Sequence, residues 1–286
     1  RWQSAAFVFA MLVGALVYDN SWMPETIAIA GWSLELSKDL VIRFPIALTL
    51  IHALICLVVT LRMSEPPVAQ EQAGDVPASA VWTAKILPAF KHTWAAGIWI
   101  LQTRFVFMIV LSAMVFDAAI RLVLTLNSEY YRMVGVPEWM LGVMGAGVAL
   151  MGVFLPRLAR WLVDQWSPST NYLVLGSTIA LGLYGMSFLV PGWGILPALL
   201  TSSGMFFLGF FVSHYLNREV DSKRRATVLS FKGLACNLSY GLIGIAYAVI
   251  TAQVRQGLPP DPIGGVEQTV MSRSLLWIAL GFVLCF

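Results

Sequence analysis

Long apolar runs separated by short polar connections make up most of this chain. A run of about 20 apolar residues is long enough for a helix to cross the hydrocarbon core of a bilayer. Continuous runs indicate helices, because membrane β-barrels show short segments of alternating hydrophobicity instead. We designate the runs A (2–18), B (44–61), C (95–126), D (139–155), E (172–190), F (195–214), G (226–254) and H (from 275). The pattern therefore predicts about eight helical spans, the last of which is truncated.

Two of the connections are long. The first, residues 19–43, contains a moderately amphipathic segment at 26–40, which is predicted to lie at the membrane interface. The second, residues 64–92, is polar and contains Glu65-Pro66-Pro67, as is typical of a linker. This linker predicts a division into residues 1–63, with two helices of one bundle, and residues 93–286, with a six-helix bundle.

The composition excludes several classes of protein. Apolar residues make up 58% of the chain and charged residues 12%, with a net charge of +3, whereas soluble domains carry about 25% charged residues. A soluble enzyme and a nucleic-acid-binding protein are therefore excluded. The cysteines Cys56, Cys236 and Cys285 lie within apolar runs without metal-ligand spacing, so neither a disulfide scaffold nor a metal site is expected. What remains is an all-α, polytopic membrane protein with the lipid bilayer as its partner.

The positive charges predict the orientation of these spans. Lys and Arg are more frequent in one set of alternating connections than in the other, and cytoplasmic connections carry this excess. The excess lies on the side of the 64–92 linker and of the basic cluster at 218–225. We therefore expect a multi-pass protein of the cell (inner) membrane with both segments in the cytoplasm.

Asp117 and Arg121 in span C are the clearest candidates for chemistry. They are four residues apart and so share one helical face, which Thr125 continues. If the span enters the membrane near Phe105, Asp117 lies about 18 Å along the helix, where a charge normally faces a bundle interior or a water-filled cavity. One interpretation is a coupling site that takes up a proton or binds a substrate anion; the other is a permanent structural ion pair.

Lys232 in span G begins a stripe that continues with Ser239 and Tyr240. In one interpretation these residues form the wall of a pathway that offers a cation and hydroxyl groups. In the other, the Lys232 ammonium extends to the cytoplasmic interface, which is about 9 Å from the start of the span.

Three stretches of sequence resemble a known family. They read SHYLNREVDSKRRATVLSF (213–231), PRLARWLVD (156–164) and RMSEP (62–66). Together they resemble the major facilitator superfamily of secondary transporters, of bacterial type. The resemblance implies two six-helix halves joined by a cytoplasmic loop, with span A as the fifth helix, span H as the twelfth and about four helices missing from this chain. It also implies alternating access by rocking of the two halves.

Five charged residues are expected in cytoplasmic gate loops on this basis: Arg157, Arg160, Asp164, Arg218 and Arg225. Charges in such loops pair in one conformation and separate in another. The alternative is that they set the orientation of the protein and do nothing further.

Signatures of common enzymes are missing from the sequence, including the phosphate-binding loop, His-Glu-x-x-His and Gly-x-Ser-x-Gly. We therefore expect neither an enzyme nor a cofactor, but a secondary transporter of a small organic solute coupled to protons. Two alternatives stay open: a membrane-embedded enzyme acting on a lipid-linked substrate, and a non-transporting sensor with the transporter fold. The oligomeric state is not predicted.

Overall fold

The computed structural model describes residues 8–14, 26–29, 32–35, 38–63, 91, 94–95, 97–259 and 265–286. Within these ranges the elements are β1 (Thr26–Ile29), β2 (Trp32–Glu35), α1 (Lys38–Leu61), α2 (Arg104–Met133), α3 (Glu138–Gln165), α4 (Pro168–Met186), α5 (Ile195–Glu219), α6 (Ser222–Gln256) and α7 (Val266–Cys285). Helices α1 to α7 correspond to spans B to H, and residues 8–14 are a helical part of span A. Apart from residue 91, the predicted linker 64–92 lies outside the described residues, so the division into domains stays a prediction.

Five of the described helices are long and apolar enough to cross a membrane: Arg104–Met133, Trp139–Gln165, Ile195–Glu219, Arg224–Gln256 and Val266–Cys285. Helix α4 does not belong to this set, because it has 19 residues and begins with the polar sequence Pro-Ser-Thr-Asn. Helix α1 contains a shorter apolar segment, Ile46–Leu61. The chain is thus a helical membrane protein with several candidate crossings, while the total of eight spans stays a prediction.

A β-hairpin replaces most of the predicted amphipathic segment at 26–40. Strands β1 and β2 pair antiparallel, with Thr26 opposite Glu35 and Ile29 opposite Trp32. β-Branched and aromatic residues favour this pleated arrangement, and the pairing satisfies backbone groups that a helix would otherwise have satisfied. The interfacial position of this segment stays a prediction, whereas the predicted start of the following span at residue 44 was wrong, because the helix begins at Lys38.

Several helices extend beyond the apolar runs that predicted them. Helix α7 begins at Val266, nine residues before the predicted start, and its 20 residues are enough for a crossing. Its first turns contain Glu267 and Arg273, which interrupt the apolar run without interrupting the helix. The predicted start of this span at residue 275 was therefore wrong, because polar residues at a helix end keep the helical backbone while lowering the hydropathy.

The same effect changes the position of the predicted gate residues. Helix α3 continues to Gln165, so Arg157, Arg160 and Asp164 lie in its last turns rather than in a loop. Arg218 lies in the last turn of α5, and Arg225 lies in the first turn of α6. The prediction of loop positions for these five residues was wrong, because the charges occur on helix ends and the α5–α6 connection is short.

Helix α2 is at the centre of the bundle formed by α2 to α7, because it contacts each of the other five helices. The core of this bundle includes Phe116 and Ile120 of α2, Ile179 of α4, Phe211 of α5 and Leu275 of α7, all of them buried. Burial of such side chains stabilises the packed helices against separation. In contrast, the described side chains of residues 46–63 in and after α1 are exposed.

Helices α4 and α5 approach each other closely. A Cβ atom added to Gly182 would collide with Thr201 Oγ1, and one added to Gly185 would lie 2.9 Å from Pro197 Cβ. Small residues at such positions allow close backbone contact between helices in a membrane. The two glycines therefore set how closely α4 and α5 approach each other.

The turn between α4 and α5 is attached to the end of α2. Gly192 has a φ of +72°, a left-handed conformation that favours glycine, and its N–H donates a hydrogen bond to the Val134 carbonyl at 2.9 Å. The buried Tyr130 hydroxyl donates to the Gly194 carbonyl at 3.0 Å. These bonds fix the end of α2 against the α4–α5 turn and so orient the helix that carries Asp117 and Arg121.

Candidate functional site

A cavity of about 210 Å³ lies between α2, α5 and α6. Its charged lining consists of Asp117 and Arg121 from α2 and Lys232 from α6. We refer to it as the charged cavity. Asp117 is 13 residues from the start of the 30-residue α2, which places it about 20 Å along a helix of about 45 Å. The two helices therefore bring together, near mid-helix, three ionisable residues that belong to separate spans in the sequence.

Asp117 and Arg121 form an ion pair across one helical turn. Arg121 Nε lies 2.8 Å from Asp117 Oδ2, and the two side chains are 41% and 21% exposed, respectively. Both residues line the charged cavity. The pair is therefore neither sealed in the helix packing nor fully exposed, and both of its members are available to water or a ligand in the cavity.

Helix α6 holds the Arg121 side chain in place. Arg121 Nη1 donates a hydrogen bond to Asn237 Oδ1 at 2.9 Å, and the guanidinium carbon lies 5.9 Å from the centroid of the Tyr240 ring. The Tyr240 and Thr125 hydroxyls are 2.8 Å apart, and Thr125 Oγ1 also donates to the Arg121 carbonyl at 2.9 Å. Thr125 and Tyr240, both predicted pathway residues, thus contact and position Arg121.

Sequence reasoning missed Asn237. The sequence does contain a signal for it. Asn237 is a polar amide in the apolar middle of α6, three residues before Tyr240 and therefore on the same face. The predicted stripe contained Lys232, Ser239 and Tyr240 but not Asn237. Because Asn237 supplies an acceptor to Arg121, it belongs to the site as a positioning residue.

Lys232 is half-buried, and within the described ranges no carboxylate lies within 4.0 Å of its ammonium. It lies ten residues after the first residue of α6, about 15 Å along the helix. Since it lines the charged cavity together with Arg121, this cavity contains two positive side chains and one negative side chain.

The Ser239 hydroxyl contacts backbone carbonyls rather than the charged cavity. Its hydroxyl donates to the Met114 carbonyl of α2 at 2.8 Å and lies 3.2 Å from the Cys236 carbonyl. It does not line the charged cavity. A serine hydroxyl that is bonded to the backbone of a neighbouring helix contributes to helix packing, so the structure places Ser239 in the α2–α6 contact rather than in the pathway wall.

A second and larger cavity, of about 720 Å³, lies between α2, α3, α5 and the helical residues 8–14. We refer to it as the large cavity. Apolar side chains such as Met11, Met144 and Phe206 form most of its wall, and Asn127 and Ser128 of α2 supply polar groups. Asn127 Oδ1 is buried and has no hydrogen-bond partner in the described structure. An unpartnered buried acceptor of this kind is costly unless water or a ligand donates to it.

The predicted gate residues do not pair with one another in the part of the chain that the structure describes. Arg157, Arg160, Asp164 and Arg218 are exposed. Arg225 instead donates from Nη2 to the Asn217 carbonyl at 3.3 Å, which satisfies a carbonyl at the carboxyl end of α5. The geometry therefore gives Arg225 a helix-capping contact, and a gate role for the other four stays a prediction.

Comparisons with known proteins found no relative of this chain. No family model matches the chain, and no curated protein or solved structure is significantly similar to it. Among the described residues, no group of three or more His, Cys, Asp or Glu side chains could hold a metal ion. The fold and the site therefore define the class: a multi-pass helical membrane protein whose bundle contains a charged cavity and a large apolar cavity.

Proposed function

We propose that this protein is a secondary active transporter that moves a small organic solute across a cell (inner) membrane by alternating access, coupled to protons. The observation that carries the proposal is the convergence of Asp117, Arg121 and Lys232 on one cavity near the middle of α2. Ionisable side chains at membrane depth mark solute and proton pathways, because burying them in lipid is costly. A structural ion pair alone would not require a second, unpaired cation beside it.

The resemblance to the major facilitator superfamily supports the same proposal. It rests on the sequence stretches 156–164 and 213–231, which lie at one end of α3 and around the α5–α6 connection. Six helices, α2 to α7, pack around one another, as each half of such a transporter requires. Rocking of this bundle would open the charged cavity to one side of the membrane and then to the other.

The charges in the cavity support proton coupling. Arg121 and Lys232 contribute two positive charges and Asp117 one negative charge, which gives a net charge of +1. The groups of α6 that face Asp117 are Lys232 and Cys236, while α5 contributes only apolar lining. A proton that binds the Asp117 carboxylate raises the net charge to +2 and releases Arg121 from its ion pair. Protonation and binding of an anionic group therefore favour each other.

The test is transport by the purified protein in liposomes with an imposed pH gradient, using a labelled panel of an amino acid, a sugar, an organic acid and an amine. We expect accumulation of at least one solute that stops when the gradient is dissipated. In Asp117→Asn, we expect gradient-driven accumulation to be lost while exchange of internal for external solute persists, because the variant still binds solute but no longer releases and takes up a proton.

The matched control is Glu129→Gln, since Glu129 also pairs with an arginine of α2, Arg132, at 3.2 Å, but both side chains are about half exposed. This variant is expected to transport like the unmodified protein. If Asp117→Asn kept both its transport rate and its pH dependence, the coupling role of Asp117 would be refuted. If no solute in a broad panel moved, the transporter assignment itself would fail.

A further inference from the structure

The charged cavity and the large cavity meet at Met205 of α5, which lines both of them. Along α2 their linings also form one continuous stripe. Asp117 and Arg121 face the charged cavity, and Leu124, Ser128 and Tyr131 continue into the large cavity. Steps of three and four residues keep all of these positions on one helical face. A ligand lying along this face of α2 would therefore contact both cavities.

The two cavities differ in chemistry and in size. The smaller contains two cations and one carboxylate, whereas the larger is mostly apolar and adds the unpartnered amide oxygen of Asn127. A volume of about 720 Å³ is typical of a pocket for a complete organic molecule. The charged cavity, at about 210 Å³, accommodates a head group and little more.

We propose that the ligand is an amphipathic anion whose acidic head group binds between Lys232 and Arg121 and whose apolar body passes Met205 into the large cavity. The inference rests on the proposed function and specifies the substrate class of the same site. Arg121 and Asn127 are six residues apart on α2, about 9 Å along the helix axis, so the ligand has its acidic group at one end and an apolar body of at least comparable length.

The charges determine the sign of the head group. A monoanion neutralises the net charge of +1 and gives Lys232 the partner that it lacks among the described residues. A neutral ligand would leave that ammonium unpaired in a half-buried position, and a cation would add a like charge. Two separate cationic side chains, one of them a planar guanidinium held by Asn237, suit a carboxylate, sulfonate or phosphate group.

The experiment is equilibrium binding of labelled octanesulfonate to the purified protein in lipid nanodiscs, with empty nanodiscs as the correction for partitioning. Competitors are butanesulfonate, octanamide and octylammonium. We expect octanesulfonate to bind more tightly than butanesulfonate by about threefold to fourfold for each added methylene. Octylammonium is expected not to compete, and octanamide is expected to compete at least tenfold more weakly than octanesulfonate.

Two kinds of variant separate the head-group site from the body site. Lys232→Gln is expected to weaken both sulfonates about tenfold or more, because it removes a charge-assisted hydrogen bond. Met205→Trp narrows the junction, so it is expected to weaken octanesulfonate more than butanesulfonate. Met205→Leu, which conserves volume, is the matched control. Gly145→Leu, which reduces only the large cavity, repeats the test if Met205→Trp does not fold.

The outcomes distinguish this inference from the proposed function. Equal competition by octanamide or octylammonium would overturn the anionic head group, and equal weakening of both sulfonates by Met205→Trp and Gly145→Leu would overturn the arrangement across two cavities. Gradient-driven uptake of only neutral or cationic solutes would leave the transporter assignment intact and refute the anion. Selective binding of octanesulfonate without movement of any solute would support the site and refute transport.

Discussion

Arg121 of α2 and Asn237 of α6 are joined by a hydrogen bond of 2.9 Å from the guanidinium Nη1 to the amide oxygen. The bond crosses between the two helices that supply every ionisable group of the charged cavity. It therefore links the position of the cation to the packing of α2 against α6. Any change in how these helices pack would move Arg121 relative to Asp117 and Lys232.

We expect Asn237→Leu to weaken anion binding by roughly 10-fold to 150-fold, because a side-chain hydrogen bond to a charged group contributes about 1.5–3 kcal/mol. The leucine keeps a similar volume but offers Arg121 no acceptor. The measurement is octanesulfonate affinity in nanodiscs, with the thermal unfolding midpoint as a check on folding. Asn217→Leu is the control, since Asn217 is exposed near the end of α5 and does not line the cavity. An unchanged affinity in Asn237→Leu would show that Arg121 needs no support from α6.

We expect Gly182→Val to destabilise the bundle by about 1–3 kcal/mol, because the added atoms collide with Thr201 at the close contact between α4 and α5. The free energy of unfolding in mixed micelles, or the midpoint of thermal unfolding, reports this loss. The matched control is Gly244→Val, since a Cβ at Gly244 meets no atom within 4 Å. Equal midpoints for the two variants would mean that the α4–α5 contact can relax without loss of stability.

We expect Glu267→Gln to change stability by at most about 1 kcal/mol, because exposed ion pairs contribute little in water. Glu267 of α7 pairs with Arg255 of α6 at 2.7 Å, and both side chains are more than half exposed. Thermal unfolding at low and high salt is the measurement, and any difference from the unmodified protein should shrink as salt increases. A large, salt-independent loss would show that this pair is removed from water, contrary to its exposure.

We expect the end of α5 and the end of α6 to lie on opposite sides of the membrane. In a background without Cys56, Cys236 and Cys285, a membrane-impermeant thiol reagent should label Arg218→Cys only from the cytoplasmic side. It should label Arg255→Cys only from the other side. The excess of positive charge around 218–225 predicts this orientation. Labelling of both variants from one side would contradict α6 as a membrane crossing, and the reverse pattern would contradict the orientation.

The apolar runs alone determined that the chain is a helical membrane protein, since only helices satisfy every backbone group of a long run in lipid. The four-residue spacing also determined that Asp117 and Arg121 meet, because the period of the helix brings such positions onto one face. Helix ends were predicted less well. Glu267, Arg157 and Arg218 lower the local hydropathy, although the helix continues through each of them.

Tertiary structure alone decided that Lys232 and Asn237 join this pair and that Ser239 does not line the cavity. It likewise decided that strand Thr26–Ile29 pairs with strand Trp32–Glu35. It also decided that two cavities meet at Met205. Spacing along a helix is a local property that the sequence carries directly. Which faces of different helices meet depends on how all the side chains pack together, and the pairing of two short strands depends on hydrogen bonds between their backbones.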